Sequence, residues 1–256
     1  MEFLIFKVQH FCVTFARFFI NFINGFERCS VCGSATFITP ICRKCKKNEF
    51  SVEKSLAVPR CNCCGRFLIS TENECFACRE NKLLKSTDRV ISLFSYRLWN
   101  KDLMFRWKIE GIRALSAFFA LEISKLLKAQ NIDIVVPVPP RKGKIRKNGW
   151  DQIDELCKYL KFFHKIRILN LLERKSTIQQ KKLHRDERLK TITSAYKLLD
   201  ENKIKKNLES FGSILPKRLC LLDDVCTTGA TIECCASLLK KAGVREVVAI
   251  TLFTVD

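Results

Sequence analysis

One stretch near the carboxyl end, residues 219–231, constrains the fold of this 256-residue chain most strongly. It reads LCLLDDVCTTGAT, an apolar quartet followed by two acids and then by hydroxyl and glycine residues. Apolar residues recur at helical spacing from Ile232 to Leu239. The pattern predicts a buried strand that ends in acids and enters a helix through a Thr/Gly loop.

The predicted loop suits a phosphate group. Backbone N–H groups in such a loop point outward together, and the following helix adds partial positive charge at its N-terminus. The carboxylates of Asp223 and Asp224 suit the hydroxyls of an attached sugar, with a divalent cation nearby. Acids that merely cap the helix would explain this order of residues less well. We expect Cys226 to be a small apolar filler.

Cysteines form two similar halves between residues 29 and 78. Each half has two CxxC pairs with a glycine after the first pair, so the unit is predicted to be a duplication. Two CxxC turns place four thiolates around one tetrahedral zinc ion, which is a structural site. The spacing leaves open whether each half binds its own ion or the halves exchange ligands. The predicted ligands are Cys29, Cys32, Cys42, Cys45, Cys61, Cys64, Cys75 and Cys78, with Cys63 a bystander.

The first 28 residues have the pattern of an amphipathic helix, with Leu4, Val8, Phe11 and Phe15 on its apolar face. We favour a helix packed on the protein's own core, and the alternative is a helix lying on a membrane surface. Lysine, histidine and arginine residues interrupt any apolar run of about 20 residues, so we expect no integral membrane protein. A small-residue cleavage site is also missing, and reduced thiols would fit a cytoplasmic location.

Alternating and helical patterns predict an α/β domain after the cysteines. We expect a strand at 88–96, helices at 100–108 and 112–129, and a buried strand at 132–136. That strand stops at a proline-rich turn, and five basic residues follow between 141 and 147. Because open α/β sheets bind ligands at strand carboxyl ends, this basic loop would hold a pyrophosphate. Residues 200–217 are predicted to be a connection, and 246–255 a final strand.

The net charge of +20 favours anionic partners such as nucleotides, nucleic acid or a membrane surface. A lysine-rich composition is an equally good explanation for charge that lies away from a site. The apolar content of 47% excludes general disorder.

At residues 219–231 the sequence resembles the phosphoribosyl-diphosphate (PRPP) motif of type I phosphoribosyltransferases. The resemblance implies that the two acids hold the ribose hydroxyls and that the loop wraps the 5′-phosphate. The residues it assigns to this site are Asp223, Asp224, Val225, Cys226, Thr227, Thr228, Gly229, Ala230 and Thr231.

Elsewhere the sequence is similar to the ComF family of competence proteins. That family has PVP followed by Arg-Gly-Phe-Asn-Gln, where this chain has Asn-Gly-Trp-Asp-Gln at 148–152. The arginine is lost, and the aromatic residue and the glutamine are kept. The cysteine module, Tyr96, Gly111 and the pattern from Arg174 to Tyr196 also match, so the resemblance covers nearly the whole chain. The residues it implies for the pyrophosphate loop and a mobile flap are Lys108, Pro137, Val138, Pro139, Arg141, Lys147, Gln152, Arg174, Gln180 and Arg188.

The resemblance implies an α/β fold with a type I phosphoribosyltransferase-like parallel sheet flanked by helices, preceded by a double zinc ribbon with four cysteines per ion. The expected units are a helix at 1–28, the ribbons at 29–80 and the phosphoribosyltransferase-like domain at 81–256. The implied cofactors are two structural Zn²⁺ ions, and Mg²⁺ with PRPP. No residue is assigned a catalytic role.

Two functions stay open on the sequence. The chain either binds PRPP and transfers phosphoribose to a nitrogen acceptor, or binds a nucleotide or single-stranded DNA without turnover, using the same pocket and the ribbons. Both are linked to natural competence. A third alternative is a scaffold for a competence helicase, against which the intact paired acids argue.

Overall fold

The structure is a computed structural model that describes residues 4–12, 14–15, 27–36, 39–68, 72–80, 84–95, 99–140, 149–175 and 195–255. Its amino-terminal part consists of short elements. Helix α1 includes residues 4–12. Strands β1 (Glu27–Arg28) and β2 (Ala35–Thr36) pair antiparallel, and helices α2 (Arg43–Glu49), α3 (Val52–Ala57) and α4 (Phe76–Glu80) follow.

The α/β part begins after α4. Its elements are β3 (Arg89–Ser95), α5 (Trp99–Lys108), α6 (Ala114–Ala129), β4 (Ile134–Pro137), α7 (Gln152–His164), β5 (Arg167–Ile168), β6 (Leu172–Arg174), β7 (Tyr196–Leu198), α8 (Glu201–Glu209), β8 (Arg218–Cys226), α9 (Ala230–Lys241) and β9 (Glu246–Thr254). Within the described residues, five strands form a parallel sheet in the order β3-β9-β8-β4-β5. Helices cover the sheet, which confirms the predicted α/β class.

The core divides between the two faces of this sheet. Along β8, Leu219 and Leu221 pack on the face that carries α9, whereas Cys220 and Leu222 pack on the face that carries α6 and α7. All four side chains are fully buried, so β8 is apolar on both faces, as is typical of a central parallel strand. Each such leucine stabilises the fold by about 1.5–3 kcal/mol.

The two cysteine halves pack on opposite faces of the sheet. Cys29 and Cys45 lie in the core cluster that contains α6 and α7, together with Phe50 of the same module. Cys61 and Cys75 lie in the cluster that contains α9. The duplication therefore places one half on each side of the molecule.

The segment between β7 and β8 differs from its prediction. Residues 200–217 are not only a connection, because α8 occupies Glu201–Glu209 and buries Leu208. Its other positions are mostly charged or amide residues, so one buried leucine gave too weak a periodic signal. Strand β4 ends at Pro137, where the sequence predicts that the proline-rich turn stops it. A proline fits there because the edge of the pairing needs no donor from it.

Helix α1 contacts the core through a different face than the sequence predicts. The Phe6 ring lies 5.2 Å from that of Tyr159 on α7, and His10 Nδ1 lies 3.0 Å from the Tyr159 hydroxyl. The predicted face, including Leu4, Val8 and Phe11, is exposed. Counting apolar side chains missed the contact because it is made by an aromatic ring and a polar pair. Of the helices among the described residues, none combines the length and the apolarity needed to cross a membrane.

Candidate functional site at the strand end and the second cysteine group

The paired acids lie at the carboxyl end of β8, between β9 and β4 in the sheet. Asp223 and Asp224 are half-buried, and Thr227 and Thr228 are exposed in the Thr/Gly loop (residues 227–229) that follows. Open parallel sheets bind ligands at this edge. The structure therefore brings the predicted acids and the predicted loop together where a ligand can reach them.

Gly229 sets the shape of the loop. Its φ of 79° is left-handed, and it is the N-cap of α9. A Cβ atom there would lie 3.1 Å from Leu84 Cδ2. Glycine meets both demands, because it adopts positive φ without strain and has no side chain to meet Leu84. The loop thus turns tightly into a helix N-terminus, which favours negative charge.

Lys108 also reaches the acids. Its ammonium group forms an ion pair with the Asp224 carboxylate. Lys108 is the last residue of α5, and its carbonyl accepts a hydrogen bond of 3.1 Å from Gln152 Nε2 at the start of α7. Asp151 caps α7 by accepting from the Ile153 and Asp154 N–H groups. Three residues that the sequence analysis selected separately are therefore linked: Lys108, Gln152 and Asp224.

Asp223 is electrostatically different from its neighbour. Burial, together with the adjacent Asp224 charge, raises the pKa of Asp223 well above the usual aspartate range. Its Oδ1 accepts a 2.8 Å hydrogen bond from the Asp224 N–H. Two adjacent carboxylates ionise together only when positive charge is close.

Arg174 and Tyr196 flank the first turn of α9. Arg174 Nη1 donates a 3.2 Å hydrogen bond to the Tyr196 hydroxyl, and β6 pairs with β7 at these two residues. Burial raises the pKa of Tyr196 to about 12, with smaller effects from Asp223 and from a hydrogen bond with the Thr231 side chain. Tyr196 ends the sequence pattern that matches the ComF family, but it is not among the predicted site residues.

The PVP turn runs beside β8. The N–H group of Val138 donates to the Leu222 carbonyl at 2.9 Å, one residue before the paired acids. The turn that contains Val138 is therefore next to the carboxyl end of β8. The remaining predicted positions lie outside the described residues: Tyr96, Arg141, Lys147, Gln180 and Arg188.

Each cysteine half forms its own group of four thiols. The first cysteine group is Cys29, Cys32, Cys42 and Cys45, the second cysteine group is Cys61, Cys64, Cys75 and Cys78, and the sulfurs of each lie within 4.8 Å of one another. The halves therefore do not exchange ligands. Cys63 is buried and belongs to neither group, which agrees with its predicted role as a bystander.

The sulfur geometry fits zinc. The Sγ atoms of Cys32 and Cys42 are 3.7 Å apart, and those of Cys64 and Cys75 are also 3.7 Å apart. Tetrahedral zinc with Zn–S bonds of about 2.3 Å needs sulfurs about 3.8 Å apart. Backbone N–H groups point at the thiols, with 3.3 Å from Cys42 N to Cys29 Sγ and 3.3 Å from Cys75 N to Cys61 Sγ. Such donors stabilise thiolates around a cation.

The second cysteine group meets the Thr/Gly loop. A pocket of about 110 Å³ lies between them, lined on one side by Cys64, Arg66 and Cys75 and on the other by Cys226, Thr227 and Thr228. Arg66 is not among the predicted site residues, although the sequence carries one signal for it. In the duplicated unit the residue after the first glycine is Ser34 in the first half and Arg66 in the second.

The fold and the site define an α/β protein with a parallel sheet, paired acids and a Thr/Gly loop at its carboxyl edge, and two groups of four cysteines that fit zinc. The chain is 30% identical to competence protein ComFC of Streptococcus pneumoniae over 161 residues, covering 63% of this chain and 66% of that protein, just under two thirds of its length. It is 26% identical to competence protein F of Haemophilus influenzae over 239 residues, covering 89% of this chain and 96% of that protein. No protein-family model matches the sequence. The chain is therefore similar to competence proteins ComFC and F, at 26–30% identity over most of its length.

Proposed function

We propose that the protein binds PRPP, or another ligand with a 5′-phosphoribosyl group, together with Mg²⁺ at the carboxyl end of β8. The observation that carries this proposal is the placement of Asp223 and Asp224 directly before a tight loop into α9. The acids have the chemistry to hold sugar hydroxyls, and the Thr/Gly loop has N–H and hydroxyl donors for the phosphate. A bound Mg²⁺ would lie near the acids and supply positive charge for the pyrophosphate group.

Lys108 gives the proposed site a resident cation. Its ammonium group neutralises Asp224 when no ligand is bound. A ligand that uses Asp224 must share or displace this ion pair. Lys108 would then be free to contact an oxygen of the pyrophosphate, since it comes from the side of the sheet next to β4 and α7.

The reaction that such a site suits is phosphoribosyl transfer. A nitrogen nucleophile would form a bond to the anomeric carbon while the bond to pyrophosphate breaks, with both electrons leaving on pyrophosphate. Holding the reacting groups in line supplies most of the acceleration in such a site. The Tyr196 hydroxyl accepts a hydrogen bond from Arg174 and, with its pKa raised to about 12, stays protonated at neutral pH.

The test is calorimetric titration of the zinc-loaded protein with PRPP and Mg²⁺, beside the variant Asp224→Asn. We expect micromolar binding by the native chain and a loss of at least tenfold in the variant, because the ribose hydroxyls lose a charged acceptor. Absence of binding by the native chain would contradict the proposal. Turnover is then tested by following pyrophosphate release with candidate nitrogen acceptors.

A second function is favoured by the net charge of +20 and by the competence names of both relatives. In it the pocket holds a nucleotide or the 5′-phosphate of single-stranded DNA without turnover, in the cytoplasm, where a competence helicase would be a partner. Counterion release makes DNA binding fall steeply with salt. A site that binds PRPP should instead depend on Mg²⁺ and on Asp224, so a salt titration distinguishes the two.

A further inference from the structure

The second cysteine group differs from the first in what it touches. Both groups share the same local construction: Arg28 Nη1 donates to the Gly33 carbonyl at 3.4 Å, and Arg60 Nη1 donates to the Gly65 carbonyl at 3.1 Å. The residue after that glycine differs. Ser34 carries no charge, whereas Arg66 lines the pocket shared with the Thr/Gly loop.

Several contacts fix the second cysteine group against the loop. Leu84 lies against Gly229, and the Cys63 thiol points at the Leu84 carbonyl from 4.0 Å. Glu233 in the first turn of α9 accepts hydrogen bonds from the N–H groups of Ser86, at 2.7 Å, and Thr87, at 3.3 Å. The segment after the second group therefore contacts the carboxyl end of the loop and the first turn of α9, and this contact forms one wall of the pocket.

Backbone hydrogen bonds to the second cysteine group fix the position of Arg66 at this wall. Its carbonyl accepts from Cys61 N–H at 2.8 Å, and its N–H donates to the Cys64 thiol. Its guanidinium group donates a 3.5 Å hydrogen bond to the carbonyl of Val255, the residue after β9. Burial raises the pKa of Cys226 to about 12, and the nearby Arg66 charge acts in the opposite direction. The position of this guanidinium group therefore depends on the fold of the second cysteine group.

The charges expected on either side of the pocket favour a cation at this place. A zinc ion with four thiolates carries a net charge of about −2, which repels a phosphate. The Thr/Gly loop itself has only hydroxyls and N–H groups. An arginine between the two binds a phosphate oxygen pair in a fixed geometry and offsets the thiolate charge.

We infer that Arg66 is a phosphate-binding residue, so that the second cysteine group, and not the first, forms part of the ligand site. This inference rests on the proposed function and deepens it: the ligand class is a phosphate monoester attached to a ribose. Zinc binding at the second cysteine group is coupled to ligand binding through Arg66. Zinc fixes the backbone segment that carries Arg66, and the ligand contacts the Arg66 side chain. The first cysteine group, on the opposite face of the sheet, has no such coupling.

The experiment compares Arg66→Gln with Arg79→Gln in the full chain carrying two equivalents of zinc. Arg79 is a matched control, because it belongs to the same module, carries the same charge and pairs with Glu72 at 3.4 Å outside the pocket. Calorimetric titrations use PRPP with Mg²⁺, ribose 5-phosphate, ribose and inorganic phosphate. We expect Arg66→Gln to weaken ribose 5-phosphate and PRPP binding by about tenfold or more, while Arg79→Gln binds as the native chain does.

A second readout follows zinc directly. A chelator removes zinc from the two groups, and we expect PRPP to slow the release of one equivalent and not of the other. Arg66→Gln should keep both equivalents and lose this protection, and Arg66→Lys should recover part of it. If Arg66→Gln does not retain zinc, the protection assay on Arg66→Lys and the native chain still decides the matter.

The outcomes separate the inference from the proposed function. Equal binding by Arg66→Gln and Arg79→Gln, with Asp224→Asn still defective, overturns the role of Arg66 and leaves the proposed function standing. Protection of both zinc equivalents, or of neither, overturns the coupling to the second group alone. No binding of any phosphate ligand by the native chain overturns both.

Discussion

The two cysteine groups have nearly the same local structure and different surroundings. In each, a glycine at positive φ follows the first CxxC pair, with φ 73° at Gly33 and 71° at Gly65. Among the described residues, a Cβ on Gly33 would meet nothing within 4 Å, whereas one on Gly65 would lie 2.7 Å from the Val90 carbonyl oxygen. The first group is thus packed on one face of the sheet through side chains, and the second is fitted against the backbone of β3. Duplication supplied two stable units, and position on the sheet gave them different roles.

The largest effect should come from removing one ligand of each group. Cys32→Ser and Cys64→Ser occupy matched positions and should each lower stability by several kcal/mol, because zinc binding is part of the folding free energy. Only Cys64→Ser should also weaken PRPP binding beyond tenfold. Chemical unfolding and calorimetry measure the two effects. Equal loss of ligand binding in both variants would show that the groups are equivalent after all.

The glycines test the same difference without touching zinc. Gly33→Ala should cost about 1 kcal/mol, the usual penalty for an alanine at positive φ. Gly65→Ala should cost about 1–3 kcal/mol more, because its methyl group would press on the β3 backbone. Urea unfolding curves give both values, and a Gly65→Ala cost no larger than that of Gly33→Ala would contradict the close packing.

The side chains of the two acids lie on opposite faces of the sheet, because they are successive residues of β8. Asp224 meets Lys108 from α5, whose buried residues belong to the cluster of the first cysteine group. Lys108→Met should lower stability by about 1 kcal/mol at neutral pH, since it leaves a half-buried carboxylate without its partner. Mg²⁺ should then raise the melting temperature of the variant more than that of the native chain. Lys101→Met, at an exposed position on the same helix, is the control. An equal response to Mg²⁺ in both variants would exclude competition between Lys108 and the metal.

The sequence predicted the parts of the molecule whose signals are local. The strand, acids, loop and helix of residues 219–241 are where the pattern placed them, because apolar runs and helical spacing are read residue by residue. The four ligands of each cysteine group were also identified, since CxxC spacing carries its own geometry. Helix α8 was missed because it buries a single leucine.

Contacts between distant segments were harder to predict. The ion pair of Lys108 with Asp224 joins residues that are 116 positions apart, and no periodicity reports it. The pocket between Arg66 and the Thr/Gly loop depends on which sheet face each cysteine group covers. That choice is made by packing, since both halves offer similar apolar residues. The sequence shows that matched positions of the two halves carry Ser34 and Arg66. The difference can be interpreted only when the second cysteine group is known to lie beside the loop.

The smallest effect should appear at Asp223, on the face of the second cysteine group. Burial raises its pKa in the folded protein, so unfolding releases a proton in the range between the usual aspartate pKa and the raised one. The native chain therefore loses stability as pH rises through that range, and Asp223→Asn does not. At pH 7 the variant should melt roughly 2–4 °C higher, the shift that about 1 kcal/mol gives in a chain of this size. The difference should shrink as the pH falls toward 4, because Asp223 is then increasingly protonated in the unfolded chain as well.

Melting curves from pH 4 to pH 8 without ligand measure this difference. Asp133→Asn is a suitable control, since its carboxylate is exposed and pairs with Arg167 at 2.6 Å far from the site. A variant that gains stability while losing PRPP binding would show that the acid is kept for its ligand at a cost to the fold, as is common for carboxylates in binding sites. A native chain and an Asp223→Asn variant with parallel pH profiles would contradict the raised pKa. In that case the Asp223 face would be electrostatically equivalent to the Asp224 face, and the contrast between the two sides of the sheet would rest on the cysteine groups alone.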